Sequence, residues 1–402
     1  VDARLAGDDQ DRLRTLVAGA VARAAAYSGS QTEQAKVTTP SHLTRRSVFT
    51  FWTPEYVGAP LIDPGRCVAS QGCKACVEIC PQDALTWRRG RVRYDISACE
   101  PCGRCVTRCP TGAVENPTVT SAMIEAQIRA YVAESPRPVG LAFICSRGEG
   151  PELTGDWFPI EVPCASMATS AWLLAPLLMG AAAATAIPCG AVGCPLQQDE
   201  SVASHRAHAR SVLDAFGLSP ERVPDVPGSS LAEVLSKAPL SDPFGVHGGA
   251  ETVLSLFRAT DMSQPIRVDG VGSPVGVIEI DEDLCTGCTA CVESCPTGAL
   301  FSEAADGMLK MTFDGSLCTA CGQCAPPCPE AGAIALRYRT DTAALAGGSR
   351  VLYLQPIATC EICGKPIASE SMLDRLGELL GEDHAGTLRL ISRRCLDCRG
   401  AW

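Results

Sequence analysis

The chain has 402 residues, room for about two to four domains, and its 5% aromatic content excludes one large aromatic core in favour of small modules that metal sites help to stabilise. Its formal charge of -11, from 34 basic and 45 acidic residues, argues against nucleic-acid binding, which rests on clustered Lys and Arg, and suits docking on a basic partner surface. The 24 cysteines, with no secretory segment opening the chain, point away from a secreted disulfide framework and towards metal chemistry in the cytoplasm.

Residues 1–58 carry no cysteine. Within them 8–26 is expected to form a helical arm with Leu13, Leu16, Val17, Val21 and Ala24 near one face. The arm either packs on a partner or covers the module that follows. Thr44-Arg45-Arg46-Ser47-Val48-Phe49 has the outline of a twin-arginine export signal, but no apolar segment follows it, and it reads as surface.

Residues 59–118 hold two runs of four cysteines, each closed by proline: Cys67, Cys73, Cys76 and Cys80 before Pro81, then Cys99, Cys102, Cys105 and Cys109 before Pro110. The second follows the spacing C-x2-C-x2-C-x3-C-P; the first has five residues, Val68 to Gly72, in its opening gap. Residues 119–240 read as an α/β domain. A helix capped by Thr120 or Ser121 carries Ile124, Ile128, Tyr131 and Val132 and stops before Pro136. An apolar strand over 139–144 then delivers Cys145. The apolar run 172–187 is shorter than the roughly 20 residues of a membrane span and is broken by Pro176 and Gly180, so it reads as a buried helix followed by a buried strand. Cys164, Cys189 and Cys194 lie beside strand-like runs or sharp turns, and a helix over 202–216 closes on Gly217.

Residues 241–275, rich in Gly, Ser, Pro and Asp, read as a linker or irregular loop. Residues 276–339 repeat the earlier module: Cys285, Cys288, Cys291 and Cys295 before Pro296, and Cys318, Cys321, Cys324 and Cys328 before Pro329. The stretch from Cys73 to Leu85 matches that from Cys288 to Leu300 at nine of thirteen positions. The tail, 340–402, carries the pairs Cys360/Cys363 and Cys395/Cys398 around a helix near 371–380.

In both modules this cadence resembles bacterial-type dicluster ferredoxins, whose cysteine thiolates hold [4Fe–4S] clusters. Zinc is the competing reading of such thiolates, but eight cysteines per module with these prolines favour iron–sulfur. The resemblance implies that the fourth cysteine of each run crosses to the other cube. It gives the sets Cys67, Cys73, Cys76, Cys109; Cys99, Cys102, Cys105, Cys80; Cys285, Cys288, Cys291, Cys328; and Cys318, Cys321, Cys324, Cys295. The stretched gap leaves a free Cys67, with a three-iron cluster or a ligand supplied from elsewhere, as the alternative for the first set.

Residues 140–218 resemble the delta subunit of methyl-viologen-reducing hydrogenase. The matching pieces are the strand into Cys145, the isolated Cys164, Leu173 to Gly180, Ala184 to Ile187, the Cys189/Cys194 pair, and the helix with Arg206 and Arg210. That family has C-x2-C at its first position, where this chain has Cys145-Ser146-Arg147-Gly148. The four remaining cysteines suffice for one [2Fe–2S] cluster; buried free thiols are the alternative. In the tail, Cys360, Cys363, Cys395 and Cys398 are expected to hold one zinc in a zinc-ribbon-like fold, with a single iron, a fifth cube or thiol chemistry as alternatives.

His205 and His208 read as a solvated helix face, and Glu78 and Glu293 as N–H acceptors or surface charges. No nucleotide-binding glycine loop and no nucleophile–base constellation is found. The expected whole is a multidomain α+β protein. It would relay single electrons between a catalytic oxidoreductase subunit (hydrogenase, formate dehydrogenase or heterodisulfide-reductase-like) and another carrier or flavoprotein, in a hetero-oligomeric complex. A stand-alone reductase of a disulfide or small molecule, or a redox-sensing module, is the alternative.

Overall fold

The computed structural model describes residues 9–27, 35–36, 55–56, 60–146, 153–189, 196, 199–228, 231 and 234–399. Residues 44–49 and Cys194 lie outside them.

Asp9 caps the first helix, α1 (Gln10–Ala25), by accepting from the Arg12 N–H. Of the expected apolar stripe, Leu16 alone is buried. Leu13, Val17 and Val21 are exposed, while Arg12, Thr15, Leu16 and Gly19 are buried. Gly19 explains the difference: a Cβ there would stand 2.1 Å from the Tyr131 ring, so only glycine permits this approach. Arg12 donates to the Leu153 carbonyl at 2.8 Å and lies 5.1 Å over the Phe158 ring, and Arg23 donates to the Glu161 carbonyl at 2.9 Å. The helix therefore packs mainly on the central domain, with Arg23 also reaching the Thr118 carbonyl at 3.4 Å. A short pairing of β1 (Ala35–Lys36) with β2 (Glu55–Tyr56) follows.

The first cysteine module contains β3 (Leu61–Ile62), α2 (Ala75–Glu78), the hairpin β4 (Leu85–Arg88) and β5 (Arg91–Tyr94), α3 (Arg104–Arg108), and β6 (Val114–Glu115), which returns antiparallel to β3. Its buried apolar cluster is small, Cys76, Leu85, Cys105 and Val114, and the other buried apolar residues are alanines and cysteines.

The central domain is built differently. Thr120 caps α4 (Ser121–Glu134). Three parallel strands follow, β7 (Gly140–Cys145), β8 (Trp157–Val162) and β9 (Ala183–Ile187), in the order β8-β7-β9. Parallel sheets need cover on both faces. Here α5 (Ser170–Met179), buried at every position, joins β8 to β9, and α6 (Asp199–Ala215) follows. The apolar run 172–187 is thus a core helix and a core strand. Leu141, Phe143, Ile160, Leu173 and Leu174 are among the fully buried side chains.

The stretch 241–275 is not a linker. It contains α7 (Gly248–Ala259) and β10 (Arg267–Asp269), and Val253 and Leu256 join the central core. Its buried face also uses Gly248, Gly249, Thr252 and Ser255, the small residues that give the segment its loop-like composition. The histidines of α6 are likewise not a solvated face. His208 is buried, with Nε2 hydrogen-bonded to Thr340 Oγ1 at 2.9 Å, and His205 Nδ1 lies 3.3 Å from the Gly272 carbonyl.

The second cysteine module repeats the first. It has β11 (Gly276–Ile280), α8 (Ala290–Glu293), the hairpin β12 (Leu300–Ala305) and β13 (Met308–Phe313), and β14 (Ile334–Asp341), antiparallel to both β11 and β10. The boundary expected at 339/340 falls inside β14. Beyond it come α9 (Thr342–Ala346), β15 (Arg350–Thr359), β16 (Pro366–Ser369), α10 (Glu370–Leu380), α11 (Ala385–Arg393) and α12 (Leu396–Arg399). The tail continues the module's hairpin into one sheet, β12-β13-β15-β16. Tyr353 of β15 is fully buried there and donates to the Cys285 carbonyl at 3.1 Å. Among the described residues no helix is long and apolar enough to cross a membrane.

Candidate metal centres

The cysteine runs fold as loops whose backbone N–H groups turn towards sulfur. The N–H of Ala75 donates to Cys73, that of Arg104 to Cys102, that of Ala320 to Cys318 and that of Gln323 to Cys321; Gly287 N lies 3.4 Å from Cys285 Sγ. In each case the donor stands two residues after the acceptor. The geometry asks for left-handed backbone nearby: Gly103 has φ +73° and Thr289 φ +62°. Gly103 has a second reason to be glycine, since a Cβ there would meet Met167 Sδ at 2.0 Å.

Sulfurs from different runs come near one another. Cys76 has Cys109, Cys73 and Cys67 as neighbours, and Cys105 has Cys102, Cys76, Cys99 and Cys80. Cys80, Cys99, Cys102 and Cys105 line one small cavity with Pro81 and Tyr94. In the second module Cys291 neighbours Cys285, Cys288 and Cys328, while Cys324 neighbours Cys318, Cys321 and Cys295. The crossing cysteines share local chemistry: Cys109 Sγ lies 3.7 Å from Thr111 Oγ1, and Cys295 Sγ lies 3.8 Å from Thr297 Oγ1.

The enlarged gap after Cys67 folds back on itself. Ala69–Gln71 form one 3-10 turn, closed by Gly72 at φ +93°, and Trp87 Nε1 donates to the Ala69 carbonyl at 2.9 Å. The extra residues are absorbed in this turn, and Cys67 stays beside Cys73 and Cys76.

Burial, reinforced by neighbouring thiolates, pushes Cys73 up to about 11 and Cys76, Cys291, Cys318 and Cys324 up to about 12. Cys102, Cys105, Cys285 and Cys321 are raised from the same leading cause. Thiols packed this closely ionise readily only with a positive centre among them. Metal uptake at such sites releases the thiol protons.

In the central domain Cys145 ends β7, Cys164 stands two residues beyond β8 and Cys189 two beyond β9. Parallel register sets these three at the carboxyl edge of adjacent strands, where open α/β sheets place their ligand crevice. Ser166 Oγ donates to Cys164 Sγ at 3.2 Å. The fourth expected member, Cys194, lies outside the described residues.

In the tail, one sulfur each of Cys360, Cys363, Cys395 and Cys398 lies within 4.8 Å of all the others, and Cys363 and Cys395 are 3.6 Å apart. Four thiolates at about 2.3 Å from one tetrahedral ion stand about 3.8 Å apart, so the site has the size of a single ion, not of a cube. Backbone N–H groups, that of Cys395 foremost, lower Cys360 to about 6. The fold around the site is not a ribbon with two hairpin knuckles. Cys360/Cys363 lie on the β15–β16 turn, but Cys395/Cys398 lie at α12. Lys365 Nζ joins the two at 2.7 Å from Asp397.

The modules also meet one another, which no local pattern announces. Arg108 donates to the carbonyls of Ala320 at 3.0 Å and Cys321 at 3.2 Å. Gln323 accepts from Lys74 N at 2.8 Å and donates to Glu78 at 3.0 Å. The result is a succession of neighbouring sulfurs from different sets: Cys164 with Cys102, Cys76 with Cys105, Cys73 with Cys321, and Cys291 with Cys324.

Crossed cysteine loops on paired antiparallel hairpins define a ferredoxin-type iron–sulfur protein. The 4Fe-4S dicluster domain family matches residues 57–113, and the 4Fe-4S binding domain family matches residues 278–301. Over 58 residues the chain is 33% identical to an uncharacterized ferredoxin of Methanocaldococcus jannaschii, an alignment covering 13% of this chain and 71% of that protein. The chain belongs to the 4Fe-4S ferredoxin family, and its iron–sulfur domains point to electron transfer.

Proposed function

We propose that this chain is an electron-transfer subunit that relays single electrons through four [4Fe–4S] clusters and one [2Fe–2S] cluster. The ligands are the four crossed sets, together with Cys145, Cys164, Cys189 and Cys194 for the [2Fe–2S] centre. The observation that carries this reading is the unbroken succession of neighbouring sulfurs, each pair joining two different sets. It orders the relay from the central domain through both clusters of the first module into the second. The catalytic partner is of hydrogenase, formate dehydrogenase or heterodisulfide-reductase type, with a flavoprotein or second carrier at the other end. The charge of -11 suits docking on basic partner surfaces. The tail cysteines hold zinc, which carries no electrons and staples α12 to the β15–β16 turn.

Anaerobic reductive titration tests the relay. The chain takes up about five electrons, one per cluster; uptake of about two or fewer contradicts it. Replacing Cys67 with alanine separates the two readings of the stretched loop. As a ligand, its loss lowers bound iron by about one to four atoms and changes the EPR of one cluster only. Unchanged iron and EPR would mark it as a free thiol.

A further inference from the structure

A cavity of about 910 Å³ opens where the modules meet. It lies within the roughly 300–1,000 Å³ range of pockets that enclose small organic ligands. Its position is informative. Cys109 forms part of its wall, as do Ser166, which donates to Cys164 Sγ, and Thr319, the residue after Cys318. A bound molecule would therefore lie beside three cysteine sets at once.

The lining describes the occupant. Trp172 and Phe244, edge-on at 5.5 Å and 87°, supply apolar aromatic surface. Ser201 and Tyr338 supply hydroxyls that can donate to a carbonyl oxygen. The formal charges cancel: Arg66, Arg104 and Arg108 face Glu115, Glu200 and Asp242. Arg66 is already paired with Glu115, and Arg108 with main-chain carbonyls. Such a wall does not favour a phosphate-bearing nucleotide or flavin.

We propose that this cavity binds a quinone, an uncharged, planar, conjugated ring bearing two carbonyl oxygens. Two reduced clusters each give up one electron and are oxidised. The quinone takes these two electrons and two protons from water and becomes the quinol. An external low-potential donor re-reduces the clusters. Binding does not depend on the electron-relay reading; turnover does.

Equilibrium dialysis of the anaerobic, cluster-loaded full chain against duroquinone tests the site, because this fully substituted ring does not add to thiols. One saturable site per chain is expected, not displaced by flavin mononucleotide. Ser204→Trp, which fills the cavity, is expected to abolish binding with iron and sulfide content unchanged. Val271 is 78% exposed on the same wall, so Val271→Trp gives a second obstructing variant remote from the core. Protein reduced with dithionite and then freed of it by anaerobic gel filtration is expected to convert bound duroquinone to the quinol as its clusters are oxidised. No saturable binding, full retention in both variants, or displacement by flavin mononucleotide overturns the proposal. Low iron in the wild-type chain would instead overturn the cluster reading, a result that dialysis does not measure.

Discussion

Anaerobic removal of iron is expected to unfold the first cysteine module while the central domain keeps its helices. The reason is the size of the two cores. In the first module the buried apolar cluster is Cys76, Leu85, Cys105 and Val114, two of them cysteines of the crossed sets, and the other buried apolar side chains are the small Ala69, Ala75, Ala84 and Ala113 and two more cysteines, Cys99 and Cys102. Its strands are two to four residues long, too short to persist alone. Bound metal in domains this small is worth on the order of 10 kcal/mol, which exceeds what such a core supplies. The central domain instead buries Leu141, Phe143, Ile160, Leu173, Leu177 and Leu213 in one continuous cluster. Hydrogen exchange after chelation checks this. Protection should vanish from β4, β5 and α3 and persist in α5 and α6. Protection retained throughout the first module would show that the metal does not hold it.

Arg108→Ala is expected to weaken the junction between the two cysteine modules by about 3 kcal/mol, since it removes two charge-assisted hydrogen bonds and strands the carbonyls that received them. Those carbonyls belong to Ala320 and Cys321, in the loop of the second module whose Cys321 neighbours Cys73. The expected readout is loss of the magnetic interaction between first- and second-module clusters in the fully reduced protein, at unchanged iron content. Arg108→Lys, which keeps charge but not the fork of donors, should recover only part of it. Unaltered cluster coupling in Arg108→Ala would mean that the junction is held elsewhere, Gln323 being the next residue to replace.

Much of this architecture is legible in the sequence because its determinants are local. Cysteine spacing with a following proline fixes each loop, and the repeat between 73–85 and 288–300 announces two similar modules. The apolar run 172–187 and the cap at Thr120 locate central elements for the same reason. What is not legible depends on close approach or distant partners. The apolar periodicity of α1 points to Leu13, Leu16, Val17, Val21 and Ala24, whereas Gly19 and two arginines choose a face that shares only Leu16 with it. The helix α7 hides in a Gly- and Ser-rich stretch because small residues let it pack closely. His208 is buried against Thr340, 132 residues away, and Gln323 bridges Lys74 and Glu78 across the two modules. No periodicity reports such contacts.

The most direct test is metal and sulfide analysis of the anaerobically isolated full chain, combined with EPR of the fully reduced state. The relay predicts about eighteen irons, from four cubes and one rhomb, with matching sulfide and spectra broadened by neighbouring spins. A colourless protein, or one with about eight irons and magnetically isolated centres, would contradict it.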